Sequence, residues 1–423
     1  MAISELIALA ALAIWIFLLA GWGRFWLASV RDDDDGTTSQ DATPSPKTLP
    51  QGALSQDAPS QSALSQSALS ESSLSQTSLS QTLWPAVTVV IPARNEADCI
   101  GEAIRSLLAQ DYPREFQIVL VDDQSTDGTA NVAYRAAESL RATYRLMLVP
   151  GKPLPEGWNG KPWAMEQGID HASVSRPSYL LLTDADIVYA PGVLSWLVNH
   201  AQDKQLGLVS LFAKLRCQDL PERAFIPAFC YFFQMIYPFA WVNNPRRAIA
   251  GAAGGCMLVR RDVLQAAGGM EAIRNVLIDD CALAKRLKLQ APIWLGLTDR
   301  VQSIRKYPNI DDIRHMVSRT AYEQLNYSSI LLAGTIAGMT LIYLLPVCFA
   351  LLGDGITRLL GIATWIMMAI SFLPTLRFYR ISPLWAPLLP MIAFAYMIFT
   401  VDSALQHWRG RGGLWKGRVS GKS

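Results

Sequence analysis

The chain has 423 residues, a hydrophobic fraction of 51% and a formal net charge of only +2. This length accommodates one large domain with additional segments, and the small net charge argues against nucleic acid as a partner. The six cysteines include no Cys-x-x-Cys pair, and the four histidines have no metal-binding spacing. The composition therefore indicates neither a disulfide framework nor a zinc site.

The beginning of the chain, residues 3–22, is almost free of charge, with Glu5 as its one ionisable residue. Such a segment is long enough to cross about 30 Å of hydrocarbon. A cleaved signal peptide is the alternative, but the missing basic residues and cleavage site favour a permanent membrane anchor. Arg24 and Arg31 follow the segment, so the positive-inside rule predicts that the next domain faces the cytoplasm.

Residues 32–83 are rich in Ser, Gln and Ala and contain a five-residue repeat that is clearest over 62–81. One leucine per repeat buries too little apolar surface to offset the entropy lost on ordering the chain. We expect a disordered linker here.

Regular α/β patterning begins at residue 84. Apolar runs at 87–91, 116–121, 146–149 and 179–183 predict buried strands, and a 3.6-residue apolar stripe at 100–108 predicts a helix between the first two. This alternation predicts a doubly wound, mainly parallel sheet. Ligands of such sheets bind beyond the carboxyl ends of the strands, where Asp122 and Asp184 fall.

Further apolar segments occupy the second half of the chain. Residues 225–242 are dense in aromatic residues but interrupted by prolines, which favours an interfacial segment, with a buried hairpin or helix pair as the alternative. Three more apolar stretches, at 330–352, 359–376 and 384–401, predict membrane helices. Three full crossings would place the basic tail outside, although basic residues favour the cytoplasm. One C-terminal stretch could therefore be re-entrant, and the sequence leaves open which.

Two carboxylates, Asp184 and Asp186, follow the fourth predicted strand. Side chains two residues apart point the same way if the backbone is extended, and hard oxygen ligands of this kind suit Mg²⁺ or Mn²⁺ shared with phosphate oxygens. The alternative is a helix N-cap before Pro191.

Five segments together resemble the pattern of glycosyltransferase family 2, the inverting enzymes of GT-A fold, over residues 87–325. They are Val-Ile-Pro-Ala-Arg-Asn-Glu (90–96), Val-Asp-Asp-Gln-Ser-Thr-Asp-Gly-Thr (121–129), Asn-Gly-Lys-Pro-Trp-Ala (159–164), Thr-Asp-Ala-Asp (183–186) and Ile-Asp-Asp-Cys-Ala-Leu (278–283). Each segment alone is a weak signal, but the five in this order are specific. The resemblance implies a nucleotide-sugar donor and a divalent metal.

By this resemblance the donor side of the site can be assigned residue by residue. Asp186 is the expected metal ligand, with Asp184 beside the ribose and near the metal. The remaining expected donor-binding residues are Pro92, Arg94, Asn95, Glu96, Asp122, Asp123 and Lys161. The alternatives are that Asn95 and Glu96 only begin a helix and that Lys161 is an ordinary surface lysine.

On the acceptor side, Asp280 is the expected catalytic base. An inverting transfer needs one carboxylate opposite the leaving group to take the proton of the acceptor hydroxyl. Asp279 stands where the family usually has glutamate; as the alternative, both are acidic residues in a first helical turn. The resemblance also assigns Gly254 and Gly255 to this side, and Arg319 to a phosphate, although Met316 and Thr320 depart from the Gln-x-x-Arg-Trp pattern of processive synthases.

The layout predicts transfer of one sugar, carried by UDP, to a lipid acceptor within the bilayer. It resembles the hopanoid-biosynthesis-associated membrane glycosyltransferases of bacteria, which implies a multi-pass protein of the inner membrane with a cytoplasmic catalytic domain. The predicted units are an anchor (1–31), a linker (32–83), a GT-A domain (84–328), transmembrane helices (329–402) and a basic tail (403–423). Open alternatives are a polyprenyl-phosphate or ceramide glycosyltransferase and a non-catalytic membrane assembly factor.

Overall fold

A computed structural model of the protein describes residues 2–32 and 84–411. The predicted linker, apart from Asp32, and the predicted tail from residue 412 onward lie outside the described residues. The eight strands of the described domain are β1 (Val87–Ala93), β2 (Gln117–Asp122), β3 (Leu146–Pro150), β4 (Tyr179–Leu182), β5 (Ile187–Tyr189), β6 (Leu208–Leu215), β7 (Met257–Arg260) and β8 (Ile293–Ser303).

The helices of the described residues are α1 (Ile3–Gly21), α2 (Ala97–Leu108), α3 (Thr129–Ser139), α4 (Gly160–Ala172), α5 (Val193–Asp203), α6 (Leu220–Ile236), α7 (Phe239–Val242), α8 (Arg261–Ala266), α9 (Asp279–Lys288), α10 (Ile310–Ser318), α11 (Ala321–Gln324), α12 (Ser329–Met339), α13 (Leu345–Leu352), α14 (Gly355–Phe378) and α15 (Leu389–Trp408). A π-helical segment, Thr340–Leu344, joins α12 to α13, and a 3₁₀ segment, Pro383–Leu388, precedes α15.

All strands belong to one sheet of order β3-β2-β1-β4-β7-β6-β8-β5. The four strands from β3 to β4 are parallel. In contrast, β7 runs antiparallel to both β4 and β6, and β5 runs antiparallel to β8. The predicted α/β alternation is confirmed, but the sheet is mixed, because β7 follows a long excursion of the chain through α6 and α7 instead of a simple crossover helix.

The centre of the sheet is buried on both faces, as a continuous apolar strand requires. Every residue of β1 is buried. On one face Ile100 and Ile104 of α2 pack against this strand, which confirms the predicted stripe. On the other face α4 crosses so closely that a Cβ at Gly168 would lie 2.4 Å from Val90 Cγ1. Only glycine permits that approach of helix to strand.

Within residues 2–32 and 84–411, five helical stretches are long and apolar enough to cross a membrane: Ile3–Gly21, Leu220–Val242, Ser329–Leu352, Gly355–Phe378 and Pro383–Trp408. The stretch that contains α6 lies between the sheet and the other four. Its Ile226 and Cys230 belong to the core beneath the sheet. Its Tyr231 and Phe232 belong to the core of the helical bundle. Because one face of α6 packs beneath the sheet and the other packs on the bundle, both faces of this helix carry apolar and aromatic residues.

The chain contacts the domain that carries the sheet just before the last apolar stretch and again near its end. Before the stretch, the Lys214 ammonium donates to the carbonyl oxygen of Phe378, the last residue of α14, over 2.7 Å, and Tyr379 is buried in the core beneath the sheet. At its end, Asp402 pairs with Arg314 of α10 at 2.7 Å. At the turn of this stretch, the carbonyl oxygen of Pro387 accepts a hydrogen bond from the indole N–H of Trp365, in the middle of α14. The stretch therefore descends along part of α14 and returns.

The segment after α1 is part of the folded domain. Arg31 forms a parallel β-bridge with Leu297 of β8. The buried Asp32 carboxylate accepts hydrogen bonds from the Thr298 hydroxyl at 2.7 Å and from the Arg300 guanidinium at 2.8 Å. Asp32, assigned to the linker from the sequence, thus docks the anchor on the sheet.

We expect Asp32→Ala to destabilise the protein by about 1–3 kcal/mol, because it leaves the hydroxyl of Thr298 and the guanidinium of Arg300 without their acceptor. The thermal unfolding midpoint of the purified protein in detergent measures this effect. Asp299→Ala is the matched control, since Asp299 is half-exposed and its pairing with Lys214 contributes little. Equal midpoints for the two variants would contradict the prediction.

Candidate active site

Glu96, Asp122 and Asp184 lie at the carboxyl ends of β1, β2 and β4. Many of the predicted site residues meet in one cavity of about 530 Å³. The predicted site residues that line this cavity are Pro92, Glu96, Lys161, Asp184, Asp186, Gly254, Gly255, Asp280 and Arg319. Asp279 is not among these lining residues, but its carboxylate lies 3.5 Å from the Lys161 ammonium. The structure therefore brings together side chains from both predicted sides, donor and acceptor.

Lys161 connects the two sides. It lies in the first turn of α4 and its Nζ is 2.8 Å from Asp184 Oδ1 and 3.5 Å from Asp279 Oδ2. Burial acts to lower the pKa of Lys161, but Asp184, Asp279 and Asp280 outweigh it and raise the pKa above its ordinary value. For Asp184, burial acts to raise the pKa, and the Lys161 ammonium brings it below its ordinary value. Lys161 is thus a permanent cation between two carboxylates, and not a surface lysine.

Asp280 lies in the first turn of α9. Its Oδ2 accepts a hydrogen bond from the backbone N–H of Gly254 at 2.9 Å, and its Oδ1 accepts one from the N–H of Cys281 at 2.7 Å. Burial and the neighbouring Asp279 raise the pKa of Asp280 to about 6, against the lowering effect of Lys161. A carboxylate with such a pKa is ionised at neutral pH and can accept a proton.

Gly254 brings the main chain against both groups. A Cβ at this position would lie 3.1 Å from Lys161 Nζ and 3.4 Å from Asp280 Oδ2. A side chain at this position would therefore crowd the ammonium and the Asp280 carboxylate. The neighbouring Gly255 has its carbonyl oxygen bound by the hydroxyls of Thr183 and Tyr189, at 2.7 and 3.1 Å.

Arg305, which the sequence reasoning missed, holds the other two carboxylates of the cavity. Its NH2 group donates to both oxygens of Glu96, at 2.8 and 2.9 Å, and its Nε lies 3.3 Å from Asp186 Oδ2. The Ser303 hydroxyl donates to the same Asp186 oxygen at 2.6 Å. No local sequence pattern signals this role: Ser303 ends β8, where it pairs with Ile187 across the sheet, and Arg305 follows two residues later.

The expectation of an extended backbone through Asp184 and Asp186 is wrong. The chain turns at Ala185 and Asp186 before β5. The two carboxylates consequently contact different cations, Lys161 and Arg305. The alternative of a helix N-cap is also wrong, because the next helix, α5, has Gly192 as its N-cap.

Four predicted donor-binding residues lie in the loops beside the cavity and are not among the described residues that line it: Arg94, Asn95, Asp122 and Asp123. The Asp122 carboxylate accepts a hydrogen bond from Ser125 N at 3.0 Å, and the Arg94 guanidinium donates to the carbonyl oxygen of Asp123 at 2.6 Å. Asp123 itself is completely buried. Asn95 Oδ1 accepts from the amide of Thr126 at 2.9 Å. These side chains join the loops that follow β1 and β2.

No group of three or more His, Cys, Asp or Glu residues that could hold a metal ion occurs in the described part of the chain. Asp184 and Asp186 nevertheless supply two hard carboxylates at the cavity surface. Mg²⁺ binds commonly through one or two carboxylates and completes its coordination with phosphate oxygens and water. The donor set therefore fits a metal that arrives with a diphosphate, and does not form an all-protein cage.

Apolar side chains make up a separate wall of the same cavity. Phe229 and Phe233 come from α6, Phe212 from β6 and Met316 from α10. Because α6 separates the sheet from the apolar bundle, this wall continues toward the helices that could cross a membrane. The cavity thus combines a charged floor and an apolar side.

Residues 88–268, less than half of the chain, match the family model described as Glycosyl transferase family 2. Over 129 residues the chain is 33% identical to the 4,4'-diaponeurosporenoate glycosyltransferase of Staphylococcus aureus (strain USA300), a match that covers 30% of this chain and 31% of the relative. The chain therefore spans about a third of the length of the curated relatives it matches.

Among solved structures, the mannosyltransferase PcManGT from Pyrobaculum calidifontis, in complex with GDP-Man and Mn²⁺, is similar to this chain with a TM-score of 0.51 and 20% identity, over 96% of this chain and 99% of that chain. At this identity the likeness establishes the fold alone. The predicted GT-A type fold is confirmed, with apolar helices at both ends. The predicted enzyme class is supported by the glycosyltransferase family 2 match of residues 88–268.

Proposed function

We propose that the chain is a membrane-bound inverting glycosyltransferase that moves a single sugar from a nucleotide-sugar donor, UDP-linked, to a lipid acceptor. The observation that carries this proposal is the cavity that holds Asp280. In it, a half-buried carboxylate with a raised pKa faces a cluster of cations and carboxylates on one side and an apolar wall on the other.

The donor side is assigned from the charges. Lys161 would bind the diphosphate of the donor, and Asp184 and Asp186 would hold a Mg²⁺ or Mn²⁺ ion shared with its oxygens. Such an ion, when bound, neutralises the negative charge that develops on the departing diphosphate. Glu96, Asp122 and Asp123 remain our candidates for the ribose and base. Arg305 maintains Glu96 and Asp186 in place.

The transfer itself needs one base. As the acceptor hydroxyl oxygen bonds to the anomeric carbon, the bond from that carbon to the diphosphate breaks and the diphosphate leaves with the electron pair. The hydroxyl proton passes to the Asp280 carboxylate. The amides of Gly254 and Cys281 fix the orientation of that carboxylate, and the burial that raises its pKa makes it a better proton acceptor at neutral pH.

The apolar wall of Phe212, Phe229, Phe233 and Met316 supports a lipid acceptor. A soluble sugar acceptor would leave this wall unsatisfied, whereas a lipid can extend along it from the bilayer. We propose a polycyclic triterpenoid or related lipid, of the hopanoid kind. A polyprenyl phosphate or ceramide is the second candidate, and the positive charge of Arg319 and Arg411 at the cavity favours the phosphate of the former. A comparison of these acceptors with labelled UDP-sugars distinguishes the two.

We propose that α1, the stretch Ser329–Leu352 and α14 cross the membrane and that Pro383–Trp408 is a re-entrant hairpin. The chain contacts the catalytic domain at Phe378, just before this hairpin, and at Asp402, near its end, and the turn of the hairpin reaches only the middle of α14. This arrangement places Arg409 and Arg411 on the side of the catalytic domain, in agreement with the positive-inside rule for a domain in the bacterial cytoplasm.

We expect Asp280→Asn to reduce the transfer rate by about 10²–10⁴-fold, because the amide cannot take the proton. Labelled UDP-sugar and membrane lipids provide the assay, and binding of the donor should be unchanged. In the unmodified protein the rate should rise with pH around a midpoint near 6, since the base works only when ionised. Asp262→Asn, at an exposed position of α8, is the matched control. Undiminished lipid product from Asp280→Asn would reject the role of Asp280.

Asp186→Ala should abolish metal-dependent binding of the donor, because it removes a hard oxygen ligand. Calorimetric titration of the nucleotide diphosphate with and without Mn²⁺ measures this effect. Asp312→Ala, at the same cavity but in the first turn of α10, serves as the control. Metal-enhanced binding that survives in Asp186→Ala would contradict the assignment.

The topology can be tested with single cysteines and a membrane-impermeant maleimide. Asp354→Cys, between α13 and α14, should react in intact cells. Arg409→Cys and Asp262→Cys should react only after the cells are made permeable, because both lie on the side of the catalytic domain. Reaction of position 409 together with position 354 would show that Pro383–Trp408 crosses the membrane.

A further inference from the structure

Glu323, on the short helix α11, contacts the loop that leads into the helix of Asp280. Its Oε1 accepts a hydrogen bond from the backbone N–H of Leu277 at 2.9 Å. Its Oε2 is buried and accepts no hydrogen bond from the residues that the structure describes. A carboxylate in this position is costly, and a pure packing role would be filled better by an apolar side chain.

The beginning of α9 depends on a partner from outside the helix. Its N-cap residue, Ile278, has no side-chain oxygen and makes no capping hydrogen bond. The backbone N–H of Leu277, just before this N-cap, finds its acceptor on another element. Glu323 provides that acceptor two residues before Asp279 and three before Asp280.

The helix that carries Glu323 is itself fixed on both sides. The N–H of Tyr322 donates to the Ser403 hydroxyl of α15 at 3.0 Å, and the Tyr322 ring packs against Trp408 with the ring centroids 5.9 Å apart. The Gln324 amide oxygen accepts from the Tyr237 hydroxyl at 3.0 Å. Glu323 therefore reaches the loop from a helix that is bound by α15 and by Tyr237, the residue after α6.

We propose that Glu323 is a positioning residue for the Asp280 base: it holds residues 277–278 so that the Asp280 carboxylate faces the acceptor hydroxyl. This inference deepens the proposed transferase function and rests on it. Glu323 does not touch the reacting atoms and acts through the loop.

The same carboxyl also adds negative charge near the base. Burial raises the pKa of Glu323, and Asp279 and Asp280 raise it further, against the lowering effect of the Leu277 and Ile278 amides. Such coupling is reciprocal, so an ionised Glu323 disfavours ionisation of Asp280. The other ionisable groups near Asp280 are Asp279, Lys161, Tyr237 and Cys281.

Three variants separate positioning from a merely structural role. Glu323→Ala removes the acceptor oxygen and should lower kcat by roughly 10- to 100-fold, with the KM for the donor unchanged. Glu323→Gln keeps an acceptor oxygen but removes the charge. It should keep kcat within about threefold at pH 8 and move the midpoint of the pH–rate profile below that of the unmodified protein. Glu271→Gln, an exposed glutamate nearby, should change neither quantity.

Hydrogen exchange of residues 275–282, followed by mass spectrometry of the full chain in detergent, provides a readout independent of activity. Exchange should be faster in Glu323→Ala and unchanged in Glu323→Gln. If Glu323→Ala fails to fold, the pH profile and exchange of Glu323→Gln decide alone. Unaltered exchange and kcat in Glu323→Ala, or an unshifted pH midpoint in Glu323→Gln, would overturn the inference. Absence of transfer in the unmodified protein would instead reject the proposed function.

Discussion

The architecture of the site depends on the pairing of Lys161 with Asp184 and Asp279. These residues come from the start of α4, the loop after β4 and the start of α9, and only the shared ammonium lets their carboxylates approach one another in a buried place. Arg305 does the same for Glu96 and Asp186. A metal–diphosphate pair carries both signs of charge, so it can replace such ion pairs without leaving a buried charge uncompensated.

Much of this arrangement could be predicted from local sequence. Continuous apolar runs predicted β1 to β4, because a strand covered on both faces tolerates few polar residues. Carboxylates directly after β2 and β4 predicted a site at that edge of the sheet, because parallel strands end there together. The resemblance to family 2 then placed Lys161 and Asp280 in the same site, and both line the cavity.

What could not be predicted depends on contacts between distant parts of the chain. Arg305 reaches Glu96 across 209 positions, and no local pattern near either residue announces that pair. The separate partners of Asp184 and Asp186 follow from a turn at Ala185, which the sequence pattern of alternating carboxylates does not reveal. The antiparallel direction of β7 was not predicted for a related reason, since strand direction is decided by where the chain returns after α6 and α7.

The position of α6 and α11 agrees with our proposal that one cavity serves two substrates of opposite character. A nucleotide is strongly hydrated and must approach from water, whereas a lipid approaches within the bilayer. The ion pairs of Lys161 and Arg305 lie at the strand ends, and the phenylalanines of α6 lie toward the bundle. Since α11 packs on α15 and also binds the loop before Asp280, the base stands where these two environments meet. Burial at this boundary, together with the neighbouring Asp279, raises the pKa of the Asp280 carboxylate, which is the change that the proposed base requires.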